Sequence, residues 1–314
     1  MKIIRLINTI VLCGCSFFGY AQTSTKALEL VTRRMDEMTS REVEFYFQSG
    51  GDLVFIPFGN ISGHGAFIPL GMHTHWANAL SVLLAEKANG LVYPVVHTSY
   101  IGATRTFRGA VSFPINEQAA ILKRIALTLL EQGFKRIVFV CGTTPEHTGG
   151  YIAAREIFDE TEHPVWFIIG ENLLNIPEVK DIYKDYPGNF GETLLCLASL
   201  RILGRERPIP CPEWAKEIKS DEGGDQPAEI RDDINALRSW GSTIGFRYFE
   251  ESQHGNGGSA GIIHNGELDI DMTERVLKKC AEKVAPVLDN LAHYVEWIEK
   301  QPFQYIIPTE RIEK

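Results

Sequence analysis

Basic clusters are missing from this 314-residue chain, in which 31 Lys and Arg face 40 Asp and Glu for a net charge of −9. An acidic chain without a basic patch is a poor partner for nucleic acid or for an anionic membrane surface. Cysteine is scarce as well. Cys13 and Cys15 sit in an N-terminal apolar run, and Cys141, Cys196, Cys211 and Cys280 are widely spaced with no Cys-x-x-Cys pair among them. That spacing excludes a zinc knuckle and a disulfide scaffold. An oxidising compartment would permit one bridge, which the sequence does not assign, and buried free thiols are the expected state. Gly-x-Ser-x-Gly is absent, which excludes a serine nucleophile elbow, and the glycine spacing fits neither P-loop nor dinucleotide patterns. There is no internal repeat and no low-complexity tract. Beyond the N-terminus no apolar run approaches the roughly 20 residues that a spanning helix needs.

What is present begins with an export signal. Lys2 and Arg5 give a basic start, Ile7 to Phe18 an apolar core, and Gly19-Tyr20-Ala21 a small-residue cleavage pattern. Residues 1–21 are therefore read as a signal peptide and residues 22–314 as a single domain, periplasmic or extracellular. A lipoprotein signal with Cys15 as the lipid acceptor is the alternative. The apolar residues that continue through Phe17, Phe18 and Tyr20 suit cleavage after Ala21 better.

The remainder alternates strand and helix. Periodicity predicts helices over 26–39, 40–48 (opened by Thr39 or Ser40), 76–89, 115–132, 148–160, 191–203 and 272–299. Short apolar runs over 52–58, 91–96, 136–140 and 164–169 read as strands, the third apolar enough to be covered on both faces. This order predicts an α/β domain, a three-layer α/β/α sandwich with a mostly parallel sheet. A Pro- and acid-rich stretch over 204–235 reads as a connecting excursion. A Gly/His stretch over 252–268 reads as a lid or a flexible connector.

Three constellations could carry chemistry. His64, His73 and His75 lie in a glycine-punctuated segment directly after the first strand, and imidazole is the commonest neutral ligand for borderline cations. The alternative is that each histidine only hydrogen-bonds within a loop. Cys141-Gly142-Thr143-Thr144-Pro145-Glu146-His147 follows the strand over 136–140, at the strand-to-helix turn where such folds bind ligands. There Glu146 could serve as a carboxylate base and His147 as a ligand, or Thr144 and Glu146 could simply cap the helix. The third is His254 with His264 in the Gly-rich stretch.

Several of these segments, taken in order, resemble the creatininase family of metal-dependent amidohydrolases. They are the strand with Pro57-x-Gly59, then His64-Gly65, Pro69-Leu70-Gly71, Thr106-Phe107-Arg108-Gly109, the strand after Gly133, and Gly191-Glu192-Thr193. The resemblance implies a hydrolase that cleaves the C–N bond of a small cyclic amide or amidine, or opens an oxidised cyclic polyol. It also implies two divalent metals and assembly as a homo-oligomer, a hexamer. Position by position, the family's first histidine is retained as His64. Ser62 stands where the family has Glu, His73 where it has a bridging Asp, and Thr143 where it has His. Cys141 replaces a usual Asn, and Pro145 an acidic ligand with Glu146 beside it. A later histidine falls near Pro187 and is missing. A neutral imidazole offers one lone pair and cannot bridge two cations. The expectation is therefore a single divalent ion, zinc first and manganese or iron as alternatives. His64 and His73 hold it with Glu146 or His147, and Glu146 shuttles the proton. A metal-free pocket in a non-catalytic, ligand-binding descendant is the competing reading.

Overall fold

Five consecutive apolar residues, Leu53–Pro57, form β1, which is buried along its whole length. A strand buried on both faces needs partners in plane and helices on either side, and β1 has both. It pairs in parallel with β2 (Leu91–Val92) and with β3 (Arg136–Cys141), and β3 pairs in parallel with β4 (Val165–Ile169), giving the order β2-β1-β3-β4. The computed structural model describes residues 30–64, 68–101, 105, 107–186, 191–206, 232–233, 236–237, 239, 268–301 and 303–304, with the side chains of 144–146 outside that description.

The two-residue period of a strand separates the core into two layers. Leu53, Phe55, Val138, Val140 and Ile168 face one side. There they meet α2 (Met72–Ala88), α7 (Glu192–Ile202), α8 (Ile270–Val284) and α9 (Leu288–Ile298) through Leu80, Leu84, Leu195, Val276 and Leu288. Val54, Ile56, Ile137, Phe139 and Cys141 face the other side. They pack on α1 (Ser40–Gln48), α3 (Ile115–Glu131) and α4 (Thr144–Thr161) through Tyr46, Leu122, Ala126, Ala153 and Ile157. The expected α/β/α sandwich is the observed one. Two short helices, α5 (Gly170–Leu173) and α6 (Pro177–Tyr183), which the periodicity did not signal, follow β4.

Local chemistry explains most boundaries. Thr39 opens α1 with a reciprocal capping box to Glu42. Asn89 ends α2 in the left-handed region at φ 52, and Gly133 follows α3 at φ +105. Four expectations change. The helix expected over 26–39 shows only a single 3₁₀ turn, Met35–Glu37, within its described part, because Arg34 is taken up in a bridge with Val92. The second strand shortens to two residues, with a separate bridge from Phe58 to Val96. The helix expected over 272–299 divides at Pro286, which lacks an amide and interrupts the ladder, so a 3₁₀ turn at Ala285–Val287 separates α8 from α9. Finally, α2 and α4 each begin a full turn earlier than expected.

Cys141, Cys196 and Cys280 are buried free thiols. Among the described residues no helix is long and apolar enough to cross a membrane. The signal-peptide reading, Cys211, the stretch 252–268 up to residue 267 and most of 204–235 lie outside the described residues.

Candidate metal centre

The carboxyl ends of β1 and β3 lie side by side, where an open parallel sheet places its ligand crevice. Beyond β1 the chain carries Asn60, Ser62 and His64 across the first turn of α2. Two hydrogen bonds pin it there: Ser62 N–H to Leu70 O at 2.9 Å, and the Thr74 hydroxyl to Asn60 O at 2.8 Å. Glycine is required at 59. A Cβ would sit 2.6 Å from both Cα and N of Thr74, and that contact has no flexible side chain to give way. His73 enters from the first turn of α2 and Thr143 from the end of β3. Glu192 is the first residue of α7, where the aligned amide dipoles of a helix favour a carboxylate.

These side chains close a ring. His64 Nδ1 is 3.2 Å from Glu192 Oε2 and His73 Nε2 is 3.4 Å from Glu192 Oε1. Ser62 Oγ is 2.7 Å from His64 Nε2 and donates to Asn60 Oδ1 at 2.6 Å. Asn60 Nδ2 is 3.3 Å from His73 Nδ1, and Thr143 Oγ1 approaches that same nitrogen at 3.2 Å. The two imidazoles are nearly fully buried, with ring centroids 4.4 Å apart.

Proton counting shows what this ring lacks. A neutral imidazole, a hydroxyl and a primary amide each pass a hydrogen bond onward, as one donor and one acceptor. An ionised carboxylate accepts on both sides and donates on neither. A cycle of His64, Ser62, Asn60 and His73 closed by Glu192 therefore cannot be satisfied with both imidazoles neutral, whichever way the Asn60 amide is turned. One positive charge, either a proton that makes one histidine an imidazolium or a cation between the three, would supply the donor this cycle is short of, and the Thr143 hydroxyl on His73 Nδ1 is the other group able to do so. Glu192 fits this demand. Burial alone would raise its carboxyl, but the hydrogen bonds and charges of His64 and His73 outweigh burial and hold it well below the usual carboxylate range.

The donor set fits a divalent ion. One nitrogen each of His64 and His73 and an oxygen of Glu192 lie within 4.8 Å of one another. Two imidazoles and a carboxylate are a familiar three-ligand set for zinc. The nitrogens facing away from Glu192 have oxygen partners, His64 Nε2 on Ser62 and His73 Nδ1 on Thr143. Ligating imidazoles need such partners to fix tautomer and direction.

Of the residues singled out from sequence, the structure brings His64 and His73 together and not His147. Because α4 starts at Thr144, residue 147 is already on the helix and turned toward β4. Its ring rests on Phe167 and Tyr151 at centroid distances of 5.2 and 5.8 Å. Glu146 occupies the first turn of the same helix, one residue earlier, with its side chain outside the described residues. His75 is separated from His73 because α2 begins at Met72. Two residues along a helix are some 200° apart, so His75 points away from the centre. It feels Arg205 and His97 instead, and burial first, then those charges, lower its pKa to about 4. The group missed from sequence is Glu192. Its signal was available: an acidic residue directly after a glycine at the start of an apolar helix, inside the Gly191-Glu192-Thr193 segment.

The sequence pattern of the creatininase family, described as creatinine amidohydrolase, matches residues 36–189. Nothing among curated proteins matches the chain in sequence. Three solved structures illustrate the likeness of fold. A crystal structure of creatinine amidohydrolase (creatininase) is 16% identical, with 83% of this chain and 98% of that one covered and a TM-score of 0.59. A creatininase variant of the Zn–Zn type is 16% identical, with coverage of 82% and 98% and a TM-score of 0.58. A manganese form of creatininase is 17% identical, with the same coverage and a TM-score of 0.54.

Proposed function

We propose, from the premise that this chain belongs to the creatininase family of hydrolases, that it uses one divalent ion to hydrolyse a small cyclic polar substrate at a C–N bond. The observation that carries this reading is the convergence of His64, His73 and Glu192, each offering one ligand atom, with those atoms within 4.8 Å of one another. Glu192, held ionised, supplies the negative charge that a cation needs. Ser62 and Thr143 orient the two imidazoles through their far nitrogens. When bound there, a divalent ion would polarise the substrate carbonyl and bring the pKa of water down toward roughly 7. Zinc is the proposed ion, with manganese and iron as alternatives. Glu146 is proposed as the proton shuttle, from its place on the first turn of α4 next to the Thr143 end of the site. The leaving nitrogen needs one proton, and a carboxyl that has taken one from water can return it. The wall of the site is rigid on the α2 side, where Met72, Trp76 and Leu80 are packed into the core. An oxidised cyclic polyol, opened by the same attack of water on a carbonyl, is the alternative substrate class.

A second reading has its own support. A proton on one of the histidines satisfies the ring as completely as a metal does, so a metal-free pocket that binds a small anionic or polar ligand is chemically self-consistent. Metal analysis of the purified protein separates the two. About one equivalent of metal per chain, lost in His64→Ala and in His73→Ala, supports the hydrolase. A protein that takes up no zinc, manganese or iron, and in which both variants bind ligand as the parent does, refutes it. Export to the periplasm or beyond is proposed from residues 1–21, and mass spectrometry of the mature N-terminus tests it, with cleavage after Ala21 expected.

A further inference from the structure

A polar cavity of about 190 Å³ lies on the opposite flank of α2, where the segment following β2 passes under the end of α7. Its polar walls come from Arg34, Asp36, Asn78, Tyr93, His97 and Arg205. None of these takes part in the His64, His73 and Glu192 ring. Asn78 is five residues beyond His73 on α2, some 140° around the helix, and so belongs to a different face.

The charges are unbalanced. Arg34 is already paired, with Glu37 at 3.0 Å and Asp36 at 3.9 Å. Asp36 is the cavity's one carboxylate among the described residues, and Arg34 holds it. Arg205 has no such partner among the described residues. Its backbone N–H is anchored to Leu200 O at 2.8 Å, but among the described residues no carboxylate lies within ion-pair distance of its guanidinium. Asn78 is 3% exposed and lines the cavity, where its amide can both donate and accept. His97 completes the wall. Burial first, and then the Arg205 charge, lower its pKa, so near neutral pH it is an uncharged imidazole with an N–H to donate.

We propose that this cavity is a second binding site, independent of the metal centre, that takes a small oxyanion bearing a phosphate or carboxylate group. The unpaired guanidinium of Arg205 presents its fork of donors to two anion oxygens. The Asn78 amide donates to a third or to the far end of the ligand, and His97 N–H is available beside them. The volume equals roughly six water molecules, which admits inorganic phosphate or a short dicarboxylate and excludes a nucleotide. The inference does not depend on the metal-centre reading, because the two sites share no side chain.

Calorimetric titration of the full chain with inorganic phosphate and, separately, with malonate tests it. One saturable site per chain is expected for at least one of the two, and the anion that binds identifies the source of the oxyanion. Arg205→Gln, at an exposed residue that the fold does not need, should weaken binding at least about tenfold, as should Asn78→Leu. His64→Ala should leave anion binding unchanged, and Arg205→Gln should leave metal content unchanged. The imidazole signals of His97, followed by NMR, should shift on anion addition in the parent and not in Arg205→Gln. Absence of saturation with both anions up to roughly 10 mM overturns the proposal. So does equal affinity in the parent and Arg205→Gln. Binding abolished by His64→Ala but not by Arg205→Gln would move the anion to the metal centre and overturn it equally.

Discussion

Replacing Glu192 by Gln separates charge from shape at the candidate centre. The amide has the volume of the carboxylate but carries both a donor and an acceptor. In the metal-free protein that difference works in the variant's favour: the ring of Asn60, Ser62, His64, His73 and residue 192 then closes with both imidazoles neutral, with no extra proton. The metal-free variant should therefore be as stable as the metal-free parent at pH 8, or more so, although two charge-assisted hydrogen bonds worth about 1.5–3 kcal/mol each become neutral ones. Toward metal the effect reverses. Loss of a partner outside the ligand shell already costs about 10–100-fold, so loss of the ligand charge itself should cost at least about 100-fold. At a metal concentration of about 100 times the parent's Kd, the parent gains about 2.7 kcal/mol. The variant, its Kd raised about 100-fold, gains only about 0.4 kcal/mol by the same relation. For a chain of this size the parent's melting temperature should rise by roughly 4 °C and the variant's by less than about 1 °C. Scanning calorimetry with and without zinc reads both quantities at once, and His147→Ala serves as the comparison. A metal-dependent shift that survives Glu192→Gln and vanishes in His147→Ala would refute the assignment of Glu192. A metal-free variant several kcal/mol less stable than the parent would refute the proton count.

Three further outcomes follow from the packing and the titrating groups. His75, whose folded pKa of about 4 lies below its ordinary 6.5, favours its neutral form in the fold. Its contribution is present above pH 6.5 and is lost as pH falls through about 4, so urea denaturation should show the parent losing stability relative to His75→Gln over that window. Tyr46 behaves in the opposite range. Chiefly burial pushes its hydroxyl up to about 12, so stability is intact below pH 10 and is lost between 10 and about 12, by up to roughly 2–3 kcal/mol, a loss absent from Tyr46→Phe. At neutral pH Tyr46→Phe should cost about 1–3 kcal/mol, because the buried Leu53 N–H, 3.0 Å from that hydroxyl, loses its acceptor. Gly59→Ala drives a Cβ into the Thr74 backbone and should cost about 1–3 kcal/mol. It should also weaken metal uptake by displacing the turn that carries His73, whereas Gly50→Ala, with nothing within 4 Å of its Cβ, should leave metal uptake unchanged.

The strand and helix sequence of this chain was readable because each sheet strand is a short apolar run between turn residues and each large helix carries a periodic apolar face. What composition hid was where helices begin. Met72-His73-Thr74-His75 contains no strong N-cap, only Gly71 without a side-chain cap, so the eye starts the helix at Trp76, where the apolar pattern begins. That one turn decides the site. Had residues 73–75 been extended or looped, His73 and His75 could have served together, whereas on a helix they diverge. The same shift at Thr144 sends His147 onto Phe167. Glu192 was hidden for a different reason. It lies 119 residues from His73 and 128 from His64 in sequence, and only the packing of α7 against α2 brings it to them. Spacing rules see ligands a turn or a loop apart, and the local mark of Glu192, an acid after a glycine at a helix start, does not say which residues it meets.

The substitutions that set this chain apart from the family pattern make sense together once their contacts are known. Ser62 stands where the resemblance implies a metal-binding Glu, yet its hydroxyl is fully engaged between Asn60 and His64. Thr143 stands where a ligating His is implied, and its hydroxyl approaches the nitrogen of His73 that faces away from Glu192. Both hydroxyls thus support the histidines. His73, in place of a bridging carboxylate, presents one nitrogen toward Glu192 and spends the other on Thr143 and Asn60. Three replacements that each remove a ligand would, if independent, leave disconnected polar groups at the end of a buried sheet, where every unpaired donor or acceptor costs about 1–3 kcal/mol. Instead they form one connected network around a single carboxylate. Among the described residues Glu192 is the one carboxylate in this network, and each imidazole turns one nitrogen toward it. That arrangement supports the proposed single-cation centre at His64, His73 and Glu192.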